Sequence, residues 1–99
     1  MTFEWDPKKD ALNVRDHRLS FSVAKFAFSD PERWERYDEA HSDTEDRWQT
    51  LAMVGSVIFV VFTCEEEDVT RIISARVADA GERRIYYGER DPENWRKAD

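Results

Sequence analysis

Apolar and polar positions change period twice along the chain, and the changes mark its elements. Asp6-Pro7 combines an N-cap acid with proline at the first helical position, predicting a helix from Pro7 to about His17. Its apolar stripe is thin, resting on Ala11 and Leu12. Ser20 caps a second, short helix rich in apolar residues (Val23, Ala24, Phe26, Ala27, Phe28), which Asp30-Pro31 ends. The period then shortens. Trp34 to Tyr37 reads as a short strand, Glu39 to Glu45 as a polar loop, and Arg47 to Val54 as a strand. Gly55-Ser56 supplies a hairpin turn into Val57–Cys64. That run is apolar on both faces, which predicts a central strand. Glu65 to Asp68 leads into a further strand, Val69 to Val77, and an antiparallel meander joins the three most economically.

Asp79 with Glu82 has the spacing of a capping box and opens a last helix that frays near Arg90. Asp91-Pro92 repeats the start signal, but Trp95 is the one large apolar residue after it, which predicts a loose or disordered tail over 91–99. The fold class expected is α+β: two N-terminal helices, an antiparallel three- or four-stranded sheet and a C-terminal helix, in one domain over 1–90.

Composition supports a packed core without staples. The chain has 99 residues, 40% apolar, gathered into runs rather than dispersed. Cys64 is the only cysteine, so no internal disulfide forms, and its place at the end of an apolar run predicts a buried thiol. Met1 to Asp6 has neither the basic nor the apolar region of a signal peptide, and Val57–Phe62 is too short to span a bilayer. A cytoplasmic protein without membrane contact is expected.

The net charge of −7 argues against a general nucleic-acid binder, but its distribution is uneven. Asp30–Asp46 holds eight acids against two arginines, whereas Val69–Arg90 holds five arginines against three acids. A local basic site on an acidic protein is therefore the chemistry to look for. No glycine-rich phosphate loop and no Cys/His zinc spacing occurs. His41, Asp43 and Glu45 alternate in a loop that reads as solvated rather than metal-binding, and no cofactor is expected.

Strand alternation places Arg76 on one face with Ser74 and Ile72, and Arg71 on the other. On the last helix Arg83 and Tyr87 are four apart. Arg76, Arg83 and Tyr87 thus form a group suited to cleaving RNA without a metal, since guanidinium forks match phosphate geometry. A proton acceptor is also needed. His17 is the natural choice, because histidine is the residue type that changes charge near neutral pH.

Three stretches in order carry a resemblance. Phe3 to Lys9 with Asn13, His17 and Ser20-Phe21, then His41-Ser42-Asp43 with Glu45 and Arg47, then Arg71–Arg76 with Glu82, Arg83, Arg84, Tyr86 and Tyr87, together resemble the BrnT toxin family. The resemblance implies a RelE-like fold and an RNA-cleaving toxin of a type II toxin–antitoxin pair that blocks translation. It also implies a BrnA-like antitoxin partner in a heterotetramer, which contacts operator DNA on the toxin's behalf. Its functional positions map here onto His17, Arg47, Arg76, Arg83, Arg84 and Tyr87, and Arg71 joins Arg47 and Arg84 as an expected RNA contact. Two departures stand out: Asp16 and Arg18 replace the family's basic residue and glycine around the first histidine, and Val77-Ala78-Asp79 replaces further basic residues. Both remove positive charge from the expected RNA face. A degenerate toxin kept as a binding partner or co-repressor is the alternative reading.

Overall fold

A computed structural model describes residues 1–98; Asp99, the last residue of the expected tail, lies outside them. The elements are β1 (Thr2–Glu4), α1 (Pro7–His17), α2 (Phe21–Ala24) continued by a 3₁₀ turn over Lys25–Ser29, β2 (Trp34–Tyr37), β3 (Trp48–Val54), β4 (Ser56–Glu66), β5 (Val69–Val77), α3 (Ala80–Tyr86) and β6 (Arg96–Lys97). The local signals act as expected. Asp6 accepts from the Lys8 amide and Ser20 from the Val23 amide. Asp79 and Glu82 close a reciprocal capping box.

Among the described residues the sheet has six strands in the order β1-β5-β4-β3-β2-β6, more than the three or four expected, and it is mixed rather than antiparallel. β1 pairs in parallel with β5, and β6 pairs antiparallel with β2. Both strands are too short for a period to show in sequence. The tail is likewise ordered through Ala98: Trp95 is buried and leads directly into β6. The hairpin is also tighter than expected, since Val54 pairs with Ser56 and leaves Gly55 alone at the apex with φ +75.

β4 is central and buried over Val57–Thr63, as its two apolar faces required. On one face, Ile58 and Val60 pack with Ile72 and Ala75 of β5 beneath Phe21, Ala24 and Ala27. This is the helical face. Buried Asn13 of α1 donates to the Ala75 carbonyl and accepts from the Ala75 amide, standing in for the strand that β1 is too short to supply. On the opposite face, Val57, Phe59 and Val61 pack with Leu51, Ile85 and Trp95, leaving the rest of the sheet uncovered by helices.

A β-bulge corrects the alternation read from sequence. Val61 pairs with Ser74 but Phe62 with Ile72, so Ile73 is an extra residue in β5. Ile72 and Ala75 therefore share the helical face, and Arg71 lies with Ser74 and Arg76 on the other. Arg71 and Arg76 thus share a face, contrary to expectation. Cys64 is also exposed rather than buried, because the second irregularity in the β4–β5 register, between Thr63 and Glu66, falls beside it.

Candidate functional site: an arginine-bearing sheet face

The face opposite α1 and α2 is built in rows across the strands. Arg36, Gln49, Val61 and Ser74 stand in one row; Trp34, Leu51, Phe59 and Arg76 stand in the next. A third row runs from Thr63 through Arg71 to Glu4, and alternation from Trp48 places Arg47 beside it. Four arginines thus reach one face from β2, the residue before β3, and β5.

Two aromatic rings divide that face. Phe59 and Trp95 meet edge to face with centroids 6.3 Å apart. The Arg76 guanidinium lies 4.1 Å from the Phe59 centroid and the Arg36 guanidinium 4.3 Å from that of Trp95. Such stacking fixes the plane of each fork at little cost in hydration. The two forks differ in what they bind. Arg76 donates from both Nη atoms to Glu82, at 2.8 and 3.0 Å, and again to the Val77 carbonyl. The Glu82 carboxylate, hydrogen-bonded to it, raises the Arg76 pKa further above its ordinary range. Arg36 donates from Nε to the Gln49 amide oxygen at 2.6 Å, and among the described residues its Nη atoms have no partner.

Beside Arg36, the loop before β3 brings up an imidazole. Asp38 is buried, and its Oδ1 lies 3.2 Å from His41 Nδ1. The loop is closed by main-chain bonds: Asp38 N–H donates to the Arg47 carbonyl, and Arg47 N–H donates to the Ser42 hydroxyl. Arg36, Asp38, His41, Gln49 and Asn94 line a cleft of about 260 Å³. Arg47 Nη2 lies 3.5 Å from Glu45, while its buried Nε has no hydrogen-bond partner among the described residues.

The residues singled out from sequence are dispersed. His17 is exposed at the end of α1, on the helix that packs over the other face, and among the described residues its side chain makes no hydrogen bond. Arg83 turns back to the Ala78 carbonyl at 2.8 Å, and Tyr87 packs edge to face on Tyr86 at 5.2 Å. Arg76 and Arg83 are neighbours at the β5–α3 junction, but both donate to internal acceptors. Arg71 makes a half-exposed pair with Glu4, and Arg84 is exposed. Arg36, Gln49, Asp38, His41 and Trp95 were missed as a group. The available signal was the alternation Trp34-Glu35-Arg36-Tyr37, which sets Arg36 on the face of a partly buried tryptophan.

A second set of polar contacts anchors α3. Tyr86 donates to Asp30 at 2.6 Å, and Asp30 also accepts from the Met53 and Glu32 amides. Burial opposes ionisation of Asp30, but these three hydrogen bonds hold its pKa below the ordinary value. Burial, then the bond to Asp30, raises the pKa of Tyr86.

The sequence family described as "Ribonuclease toxin, BrnT, of type II toxin-antitoxin system" matches residues 5–82. The chain belongs to this family. Among solved structures, the Brucella abortus ribonuclease toxin BrnT superposes with a TM-score of 0.60 at 23% identity, covering 80% of this chain and 97% of that one. No curated protein matches the chain. The BrnT-like part ends near Glu82, so most of α3, Trp95 and β6 lie outside the family match. No helix among the described residues is long and apolar enough to cross a membrane.

Proposed function

We propose that this chain is the RNA-cleaving toxin of a type II toxin–antitoxin pair, an endoribonuclease that works without a metal, inhibits translation and is held inactive by a BrnA-like antitoxin. The observation that carries the reading is the sheet face opposite α1 and α2, which presents Arg36, Arg47, Arg71 and Arg76 on a BrnT-family chain of net charge −7. Three of these guanidiniums are paired with carboxylates, Arg47 with Glu45, Arg71 with Glu4 and Arg76 with Glu82, so among the described residues the Arg36 fork is the one held open for a phosphate backbone. In the reaction the RNA 2′-oxygen bonds to the adjacent phosphorus and the P–O5′ bond breaks. Charge builds on the non-bridging oxygens, and guanidinium donors stabilise it. Arg36, Arg47 and Arg71 contact phosphates in this reading, while Arg76 and Arg83 fix α3 to the sheet edge.

The acidic loops suit the partner. Asp43, Glu45, Asp46 and Glu65 line one cleft, so the two acidic stretches form a common surface for basic antitoxin residues. A heterotetramer is the expected assembly, and its affinity falls as salt rises. The degenerate-toxin reading is favoured by one feature, the closure of Arg76 and Arg83 by internal acceptors.

Induction of the chain alone in a bacterial host, with growth, total RNA and translation followed together, tests the proposal. Growth arrest with RNA cleavage, relieved by an Arg36→Ala, Arg71→Ala double variant that still folds, is the expected result. A harmless wild type at good expression overturns it in favour of the binding-partner reading.

A further inference from the structure

We propose that His41, oriented by Asp38 beside Arg36, is the proton acceptor of the RNA-cleaving site. The inference rests on the ribonuclease reading above and assigns its chemistry to a cleft lined by none of His17, Arg76, Arg83 and Tyr87. Three observations carry it.

The first is the direction of the imidazole. Asp38 is 6% exposed and its Oδ1 faces His41 Nδ1 at 3.2 Å. A carboxylate there accepts the Nδ1 proton, which sets the tautomer and leaves the Nε2 lone pair free. The His41 side chain is 67% exposed, so a substrate reaches it. The second is the neighbouring fork. Arg36 is fixed in plane by Trp95 and in rotation by Gln49, yet it keeps both Nη atoms without a partner among the described residues. A fork held this way is ready for two phosphate oxygens before substrate arrives. The third is the shared cleft: Arg36 and His41 line the same cavity of about 260 Å³, with Asn94 on its tail-side wall.

The step needs only water besides the RNA. His41 Nε2 takes the 2′-hydroxyl proton as the 2′-oxygen bonds to phosphorus. The P–O5′ bond breaks, and the leaving 5′-oxygen takes a proton from water. The products are a 2′,3′-cyclic phosphate end and a 5′-hydroxyl end. Asp38 touches no reacting atom and is a positioning residue.

The test uses the purified full chain and a short labelled RNA, with cleavage rates measured under single-turnover conditions. His41→Ala should lower the rate constant by about 100-fold or more, with RNA affinity little changed, and added imidazole should restore part of it. His17→Ala should cut at nearly the wild-type rate. Asp38→Asn, which keeps an acceptor toward Nδ1, should retain more cleavage than Asp38→Ala. Circular dichroism melts establish folding, and His41→Gln serves if His41→Ala does not fold. His41 variants that fold and cut like the wild type, or lose cleavage that imidazole does not restore, overturn the assignment and leave the ribonuclease reading standing. A wild-type chain that cuts no RNA overturns both.

Discussion

Arg36 and Arg76 occupy equivalent settings at two ends of one sheet face. Each guanidinium stacks on one ring of the Phe59–Trp95 pair, at 4.3 and 4.1 Å. Their surroundings then diverge. At the β5 end, Glu82 closes the Arg76 fork and simultaneously caps α3. At the β2 end, the Arg36 fork is open next to His41. Two arginines of equal charge thus serve different ends, one tying elements together and one available to a ligand. Counting basic residues finds the Val69–Arg90 segment; Arg36 stands out because stacking on Trp95 and the bond to Gln49 fix a fork whose Nη atoms stay open.

That contrast predicts opposite outcomes from substitutions at the two ends. Arg36→Ala removes a preorganised donor pair and should slow RNA cleavage by about 100-fold, roughly 2.7 kcal/mol in the barrier, with the urea midpoint close to wild type. Glu82→Ala should do the reverse. It breaks the capping box and frees Arg76, costing about 2 kcal/mol of stability, while the folded protein still cuts RNA. The measurement is the same pair of assays on both variants. If Glu82→Ala abolished cleavage at full folding, the Arg76 end would belong to the reacting site and the contrast would fail.

The sequence made one half of this contrast legible. Asp6-Pro7, Ser20 and the Asp79–Glu82 box set the helix starts through local chemistry, and each acts in the structure as its residues imply. Val57–Cys64 announced a central strand because both its faces are apolar. The face of Arg71 was not legible, because one extra residue, Ile73, reverses the parity of β5 on either side of it. A bulge is a matter of register with the partner strand, and no alternation in a single strand contains it. Trp95 was misjudged for a similar reason. One tryptophan is too little to hold a tail by itself, but here it joins a ring already placed by β4 and is covered by Arg36. Arg36 therefore depended on two non-local facts at once, the strand it pairs with and the tail that returns to it.

The helix α3 carries a further test of the structural end. Tyr86 donates to Asp30, and burial together with that bond raises the Tyr86 pKa. A group whose proton is held more tightly in the folded state contributes stability that is fully present below its unfolded pKa, about 10, and is lost as pH rises toward the folded value. The difference in unfolding free energy between wild type and Tyr86→Phe should therefore be about 1 kcal/mol at neutral pH and shrink above about pH 10. Asp30 has the opposite sign. Its depressed pKa gives stability that is present above about pH 3.9 and lost as pH falls through the folded value. Urea titrations across pH measure both, and cleavage by Tyr86→Phe at neutral pH should match wild type.

The smallest effect tests charge alone. Arg18 holds a left-handed backbone, φ 56, at the end of α1, where its N–H bonds to the Val14 carbonyl. A glycine at this place, as the resemblance implies, would meet the same helix-ending requirement. Asp16 is engaged with Arg15 on the same exposed turn, so the two departures around His17 lie on the helix packed over the other face of the sheet. Arg18→Gly relieves about 1–2 kcal/mol of backbone strain against about 0.5–1 kcal/mol of added chain entropy. A net gain of about 0.5–1 kcal/mol is expected, with a slightly higher thermal midpoint. The substitution also deletes one positive charge from an already acidic protein. If unpartnered donors rather than summed charge locate the RNA, cleavage stays at the wild-type rate. A rate that drops with Arg18 would mean that the open fork of Arg36 is not what selects the substrate, and the distinction between the two ends of the face would lose its meaning.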